Sequence, residues 1–170
     1  MKIGDEYSIV EKISETAGSR VFRAKNRVSG DGVIIKHLSM NNPTAADRAR
    51  FRHELEIIKS IDCPGIVRTL DLYEDGEEIV FIVEDFNGIS LDNFIRINRF
   101  GVEAFLPVAE RIANTLGIIH DRGIIHGDIK PHNILFNSRT SEVKISDVGI
   151  SSLLARSEAG IRIRKIEGTM

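Results

Sequence analysis

The densest chemistry in this chain lies in His126-Gly127-Asp128-Ile129-Lys130-Pro131-His132-Asn133, followed by the apolar pair Ile134-Leu135. The Asp128 carboxylate can orient a hydroxyl nucleophile, the Asn133 amide oxygen can hold a hard cation, and the Lys130 ammonium can offset charge on a phosphoryl group in transit. Asp147 adds a second carboxylate at the end of an apparent strand, residues 143–146. Together these are the parts that phosphoryl transfer asks of a protein.

Such groups need a scaffold. Residues 7–13 and 20–26 read as strands joined by the polar turn Ser14-Glu15-Thr16-Ala17-Gly18-Ser19, and residues 33–36 as a buried strand ending in Lys36. A cation leaving so apolar a run is costly unless it is paired. Residues 43–61 carry a helical pattern, with Thr44 and Asp47 at capping-box spacing and Phe51, Leu55 and Ile58 on one side. Glu54 shares that side and is the expected partner of Lys36, whereas Glu56 lies about 200° around the helix and should face water. A turn at residues 62–65 leads to an expected strand at 66–72, and residues 79–83 form a continuous apolar run of the kind buried on both faces.

Beyond it, Ser90 is expected to cap a short helix over 91–99 with Phe94 and Ile95 turned inward. Residues 103–120 predict a long helix with Pro107 in its first turn and Val108, Ile112, Leu116 and Ile119 along one face. Residues 120–125 predict a turn and a short strand. His126 is expected in the core beneath the catalytic stretch, and His132 in solvent. Arg162, Arg164 and Lys165 read as part of a solvated basic segment.

With 42% hydrophobic and 28% charged residues and a formal charge of −2, the 170-residue chain has the composition of a soluble globular protein, without the basic excess of a nucleic-acid binder. No stretch approaches the length of a membrane span. One cysteine, Cys63, excludes an intramolecular disulfide and a thiolate metal cluster, which fits a cytoplasmic location.

In this order and on these elements, Lys36, Glu54, Asp128, Lys130, Asn133 and Asp147-Val148-Gly149 resemble the motifs of a protein kinase catalytic domain of the serine/threonine type, in a His-Gly-Asp variant. The resemblance implies an α+β bilobal fold. Residues 1–83 would form an N-lobe of five antiparallel strands and one long helix, 84–89 a hinge, and 90–170 the first part of a mainly helical C-lobe, cut short before the Ala-Pro-Glu motif and the later helices. It also implies an ATP-dependent kinase that passes the γ-phosphoryl group to protein hydroxyls. Lys36, held by Glu54, would contact the α- and β-phosphates, Asp128 would orient the hydroxyl, Lys130 would offset charge, and Asn133 and Asp147 would hold Mg2+. Serine/threonine specificity rests chiefly on Lys130. The nucleotide would lie under a lid of Ile13, Ser14, Thr16, Gly18 and Ser19, with Val21 and Ile34 against the adenine, Val83 at the gatekeeper position, Glu84 and Phe86 in the hinge, and Leu135 as floor.

This sequence departs from the family pattern at the lid, whose glycine positions fall on Ser14, Thr16 and Ser19, at Ile34 in place of alanine, at Gly127 in place of arginine and at Val148 in place of phenylalanine. The implied partners are a protein substrate and further parts of a longer signalling protein, with no nucleic acid or membrane contact from this segment. Two other readings stay open: a small-molecule phosphotransferase of the aminoglycoside or choline kinase type, which shares His-Gly-Asp with a following Asn, and a nucleotide-binding pseudokinase. A metallophosphoesterase would need a second histidine-rich cluster.

Overall fold

The computed structural model describes residues 3–16, 18–39, 56, 58–59, 61–75 and 78–148. After a single helical turn, Ile3–Glu6, the strands β1 (Tyr7–Glu15), β2 (Ser19–Asn26), β3 (Gly32–Ser39), β4 (Thr69–Asp75) and β5 (Glu78–Glu84) form an antiparallel sheet in the order β1-β2-β3-β5-β4. Alternation along β3 and β5 sends side chains to two apolar layers. Val33, Ile35, Val80 and Ile82 pack with Tyr7 and Ala24 on one face, while Leu38, Ile79, Phe81 and Val83 pack with Val67 on the other. All five residues from Ile79 to Val83 are therefore buried, as the continuous apolar run requires.

The expected helix over 43–61 falls mostly outside the described residues, and Glu54 with it. Residues 56, 58 and 59 are helical; Glu56 is exposed as expected, and Ile58 packs on the Phe81 layer.

The strand expected at 66–72 begins only at Thr69. Ile66 instead makes an isolated parallel bridge to Ile145; the Val67 N–H donates to the Ile145 carbonyl (2.9 Å) and the Ile145 N–H to that of Gly65 (2.7 Å). The apolar run that looked like one strand thus serves two sheets. Ile61, Cys63, Ile66, Ile119, Ile145 and Val148 form the core around that junction. A Cβ on Gly65 would run into Thr115, so the junction closes tightly on the long helix.

The lower part carries the strands β6 (Ile89–Ser90), β7 (Ile134–Asn137) and β8 (Glu142–Ile145) in that order, with helices Leu91–Ile97 and Val102–His120. Several expected details shift. The first helix stops at Ile97, where the Asn98 N–H bonds the Phe94 carbonyl, and Ile95 is exposed while Phe94 packs against Phe100 and Phe136. Ser90 occupies the N-cap without a side-chain cap bond; its hydroxyl polarity beside the Asp92 carboxylate lowers that group's pKa. Pro107 lies beyond the first turn, because the long helix begins at Val102; it forgoes one intrahelical bond there. Residues 124–125 form no strand. Gly123 turns left-handed (φ 72°) and the Ile124 N–H returns to the Ile119 carbonyl (3.0 Å), so this backbone closes the helix. Among the described residues, no helix is long and apolar enough to cross a membrane.

A polar knot fastens the N-terminal turn to the sheet. The Tyr73 hydroxyl lies 2.8 Å from Asp71 Oδ2 and 3.1 Å from Glu6 Oε2. Burial first, then these two carboxylates, raise the Tyr73 pKa. Burial pushes Asp71 upward, but the Leu72 N–H, the Tyr73 hydroxyl and Lys59 outweigh it and hold the carboxylate below its ordinary range. A raised phenol pKa contributes stability that is full below the ordinary value of 10.0 and is lost as pH climbs past it. A depressed carboxylate contributes above the ordinary 3.8 and loses its contribution as pH falls. Urea midpoints measured against pH should therefore fall on both flanks, and Tyr73→Phe should flatten the alkaline fall; an unchanged alkaline limb would contradict this account of the knot.

Candidate active site

The chain between the long helix and β7 is held from below by His126, which is buried. Its Nε2 lies 2.9 Å from the Ser146 carbonyl, and its Nδ1 accepts the Asp128 N–H at 3.2 Å. A carbonyl can only accept and an amide N–H can only donate, so the proton sits on Nε2 and the ring is neutral. The expectation of a core histidine holds, and His132, with 70% of its side chain exposed, faces solvent as expected. Between them, Gly127 adopts φ 81°, a left-handed conformation that explains a glycine here in backbone terms.

Asn133 ends a short 3-10 helix, Pro131–Asn133, and is buried. Its Nδ2 donates to the Asp128 carbonyl (2.9 Å) and to Asp128 Oδ2 (2.8 Å), while its own carbonyl accepts the Ser146 N–H (2.8 Å). Lys130 Nζ lies 2.7 Å from Asp128 Oδ2. With Nδ2 committed to Asp128, the Asn133 amide oxygen is the end left to serve as an acceptor. Asp147 follows β8 with φ 63°, and its Oδ1 accepts from Lys36 Nζ at 2.5 Å. Lys36 and Asp147 keep only 17% and 24% of their side chains exposed, so this pair is shielded from water on most sides. Lys36, Asp128, Lys130, Asn133 and Asp147 are thus gathered at one place, while Glu54 lies outside the described residues.

The adenine-side expectations gather as well. Ile34 pairs in register with Val83, and Ile34 and Leu135 of β7 pack against the same buried cluster that holds Val83. Val21 pairs in register with Lys36 across β2–β3 and with Ser14 across β1–β2. Ile13, Ser14, Thr16 and Gly18 are exposed at the turn, Ser19 is half-buried, and the Thr16 N–H is spent on the Ser19 carbonyl at 2.8 Å.

Sequence reasoning missed how residues 84–88 are secured. Glu84 Oε1 accepts from Lys144 Nζ and from the Arg68 N–H (2.9 Å). Asp85 Oδ2 accepts from Arg23 Nε (2.8 Å), and its Oδ1 accepts the Asn87 N–H (2.9 Å). The Phe86 carbonyl accepts from Asn137 Nδ2 (3.3 Å), and the Phe86 ring lies between Lys144 Nζ, 5.4 Å from its centroid, and Gly88, where a Cβ would crowd it. Arg23 is 62 residues from Asp85 and Lys144 is 60 from Glu84, so no local pattern could announce them.

Among the described residues, no group of three or more His, Cys, Asp or Glu side chains could hold a metal by itself. One carboxylate and one amide oxygen do suit magnesium, which takes few protein ligands when phosphates supply the rest.

A five-stranded antiparallel sheet joined through an apolar junction to a helical part, with a lysine from the one meeting a carboxylate from the other, is a protein kinase architecture. Residues 7–170 match the family described as "Protein kinase domain", and the chain belongs to that family. It is 31% identical over 170 residues to "MAP3K epsilon protein kinase 1" of Arabidopsis thaliana, covering 98% of this chain and 12% of that one. It is 30% identical over 162 residues to "Probable serine/threonine-protein kinase fhkA" of Dictyostelium discoideum, covering 90% of this chain and 27% of that one. The twitchin kinase fragment of C. elegans superposes with a TM-score of 0.75 at 26% identity, over 88% of this chain and 34% of that chain. The chain therefore spans a minor part of each of these relatives.

Gly127→Ala places a Cβ in the left-handed region and should cost about 1–2 kcal/mol, read as a lower urea midpoint at constant m-value. Unchanged stability would show that this backbone relaxes freely.

Proposed function

We propose that the chain is the nucleotide-binding and catalytic-loop portion of an ATP-dependent serine/threonine protein kinase, with an N-lobe over 1–83, a hinge over 84–89 and the start of the C-lobe over 90–170. The observation that carries this reading is the 2.5 Å contact of Lys36 with Asp147 beside the hydrogen-bonded set Asp128, Lys130 and Asn133. Lys36 would release Asp147 in part to meet the α- and β-phosphates, with Glu54 as its second partner. Asp147 and the Asn133 amide oxygen would hold magnesium, which offsets phosphate charge when bound. Asp128, whose carboxylate is fixed by Asn133 Nδ2, would align the acceptor hydroxyl and take up its proton. Lys130 would turn from Asp128 toward the phosphoryl group being transferred.

Adenine would lie between Val21 and Ile34 above and Leu135 below, reaching the backbone of Glu84 and Phe86 past Val83. The lid of Ile13, Ser14, Thr16, Gly18 and Ser19 would cover the phosphates. Serine/threonine acceptance is supported by Lys130 and by the names of relatives, and membership of a longer protein accords with the small share of those relatives that the chain spans.

Transfer from γ-labelled ATP to serine and threonine peptides tests the reading. Lys36→Met, Asp128→Asn and Asp147→Asn should each lower transfer by roughly 100-fold or more, while each variant keeps a cooperative melt. Undiminished transfer in all three variants contradicts the assignment. Transfer to aminoglycosides or choline in place of peptides would select the small-molecule reading, and nucleotide binding without transfer the pseudokinase.

A further inference from the structure

We propose that Arg23 and Lys144 are positioning residues for the nucleotide: through the consecutive hinge carboxylates Asp85 and Glu84, they set the spacing between the sheet that carries Lys36 and the strand that leads into Asp147. The proposal rests on the nucleotide reading above.

Glu84 and Asp85 are neighbours in the chain, yet their side chains are claimed by opposite halves of the molecule. Asp85 belongs to the upper half. Its side chain is 7% exposed and is met by Arg23 Nε at 2.8 Å, and Arg23 is also ion-paired with Glu11 of β1. Arg23 stands opposite Ile34 in the β2–β3 register, two places before the Val21–Lys36 pair. A carboxylate so buried is costly without its cation, which makes this contact a point of definite geometry. Glu84, whose Oε1 also accepts the Arg68 N–H just before β4, reaches the lower half through Lys144 of β8, and both side chains are largely covered. From Lys144 the backbone runs without slack into Asp147. Ile145 is fully buried and bridged to Ile66, and Ser146 is bonded through its N–H to Asn133 and through its carbonyl to His126.

Two braces thus meet at one hinge. A ligand that touches only the hinge and adenine surfaces feels the spacing of the two sheets at one place, between Ile34 and Leu135, and makes no contact that depends on the distance between Lys36 and Asp147. One that carries phosphates and magnesium must satisfy both ends at once, so misplacement of either sheet is felt chiefly by the longer ligand. This separates positioning from simple support of the fold. Support would be lost equally for both ligands.

Calorimetric titration of the 170-residue chain with adenosine and with Mg-ADP, in the wild type and in Arg23→Met and Lys144→Met, tests the proposal. Met keeps the apolar stem and removes the charge. Each variant should weaken Mg-ADP by about tenfold and adenosine by no more than about twofold. Should a Met variant lose its cooperative melt, Asp85→Asn keeps shape and an acceptor oxygen on the Arg23 side, Lys144→Gln keeps a polar side chain on the Glu84 side, and the same ratio applies. Equal losses for both ligands, or no loss for either, overturn the proposal while leaving the nucleotide reading intact. A wild type that binds neither ligand overturns the nucleotide reading and this proposal with it.

Discussion

The contact between Lys36 and Asp147 is where the two halves of the molecule answer to each other. Lys36 leaves a strand whose neighbour Ile35 is fully buried and whose register partners are Val21 and Phe81, so its ammonium has little water to fall back on. Opposite charges about 4 Å apart attract by about 1 kcal/mol in water and about 4 kcal/mol at the effective dielectric of a shielded protein site. The partly covered pair lies between these limits. Neither partner is costless to bury, and each makes the other's position tolerable.

Apolar packing does the positioning that this polar contact exploits. β5 is buried on both faces from Ile79 to Val83 and pairs with β3 along its length, which gives Lys36 a firm platform, while the Ile66–Ile145 bridge and the core around Ile119 hold β8 below it. The polar groups then make local adjustments. The neutral His126 ring ties the Asp128 backbone to Ser146, and Asn133 ties the Asp128 carboxylate to the same segment. Asp128, Asn133 and Asp147 are consequently tied together through His126 and Ser146. On the proposed reading this fixed placement is the preorganisation that phosphoryl transfer requires, because its catalysis is mostly placement and charge.

The sheet was legible because period-two burial and unbroken apolar runs are local signals, and the motif residues were legible because phosphoryl transfer demands particular groups in a particular order. In the structure, Lys36 meets Asp147, and Lys130 and Asn133 meet Asp128. Boundaries failed where one apolar run serves two purposes, as at Ile66, or where backbone amides close a helix, as at Ile124. The two-residue strand Ile89–Ser90 carries too little pattern to be read. Ion pairs were the least legible. Arg23 with Asp85 and Lys144 with Glu84 are set by tertiary placement, and a charged residue on a strand looks the same whether it meets solvent or a partner from the other lobe. The expected pair of Lys36 with Glu54 was inferred from a shared helical face, and Glu54 lies outside the described residues; the partner in view, Asp147, is 111 positions away.

The central claim is that Lys36 and Asp147 flank a site for a magnesium-bound nucleotide polyphosphate. Its most direct test is calorimetric titration of the wild-type chain with ATP in the presence of magnesium and in its absence with chelator. The account predicts saturable one-to-one binding that is at least about tenfold tighter with magnesium, since an uncompensated polyphosphate would press its charge on Asp147. Binding of equal strength in both conditions, or none in either, would contradict it.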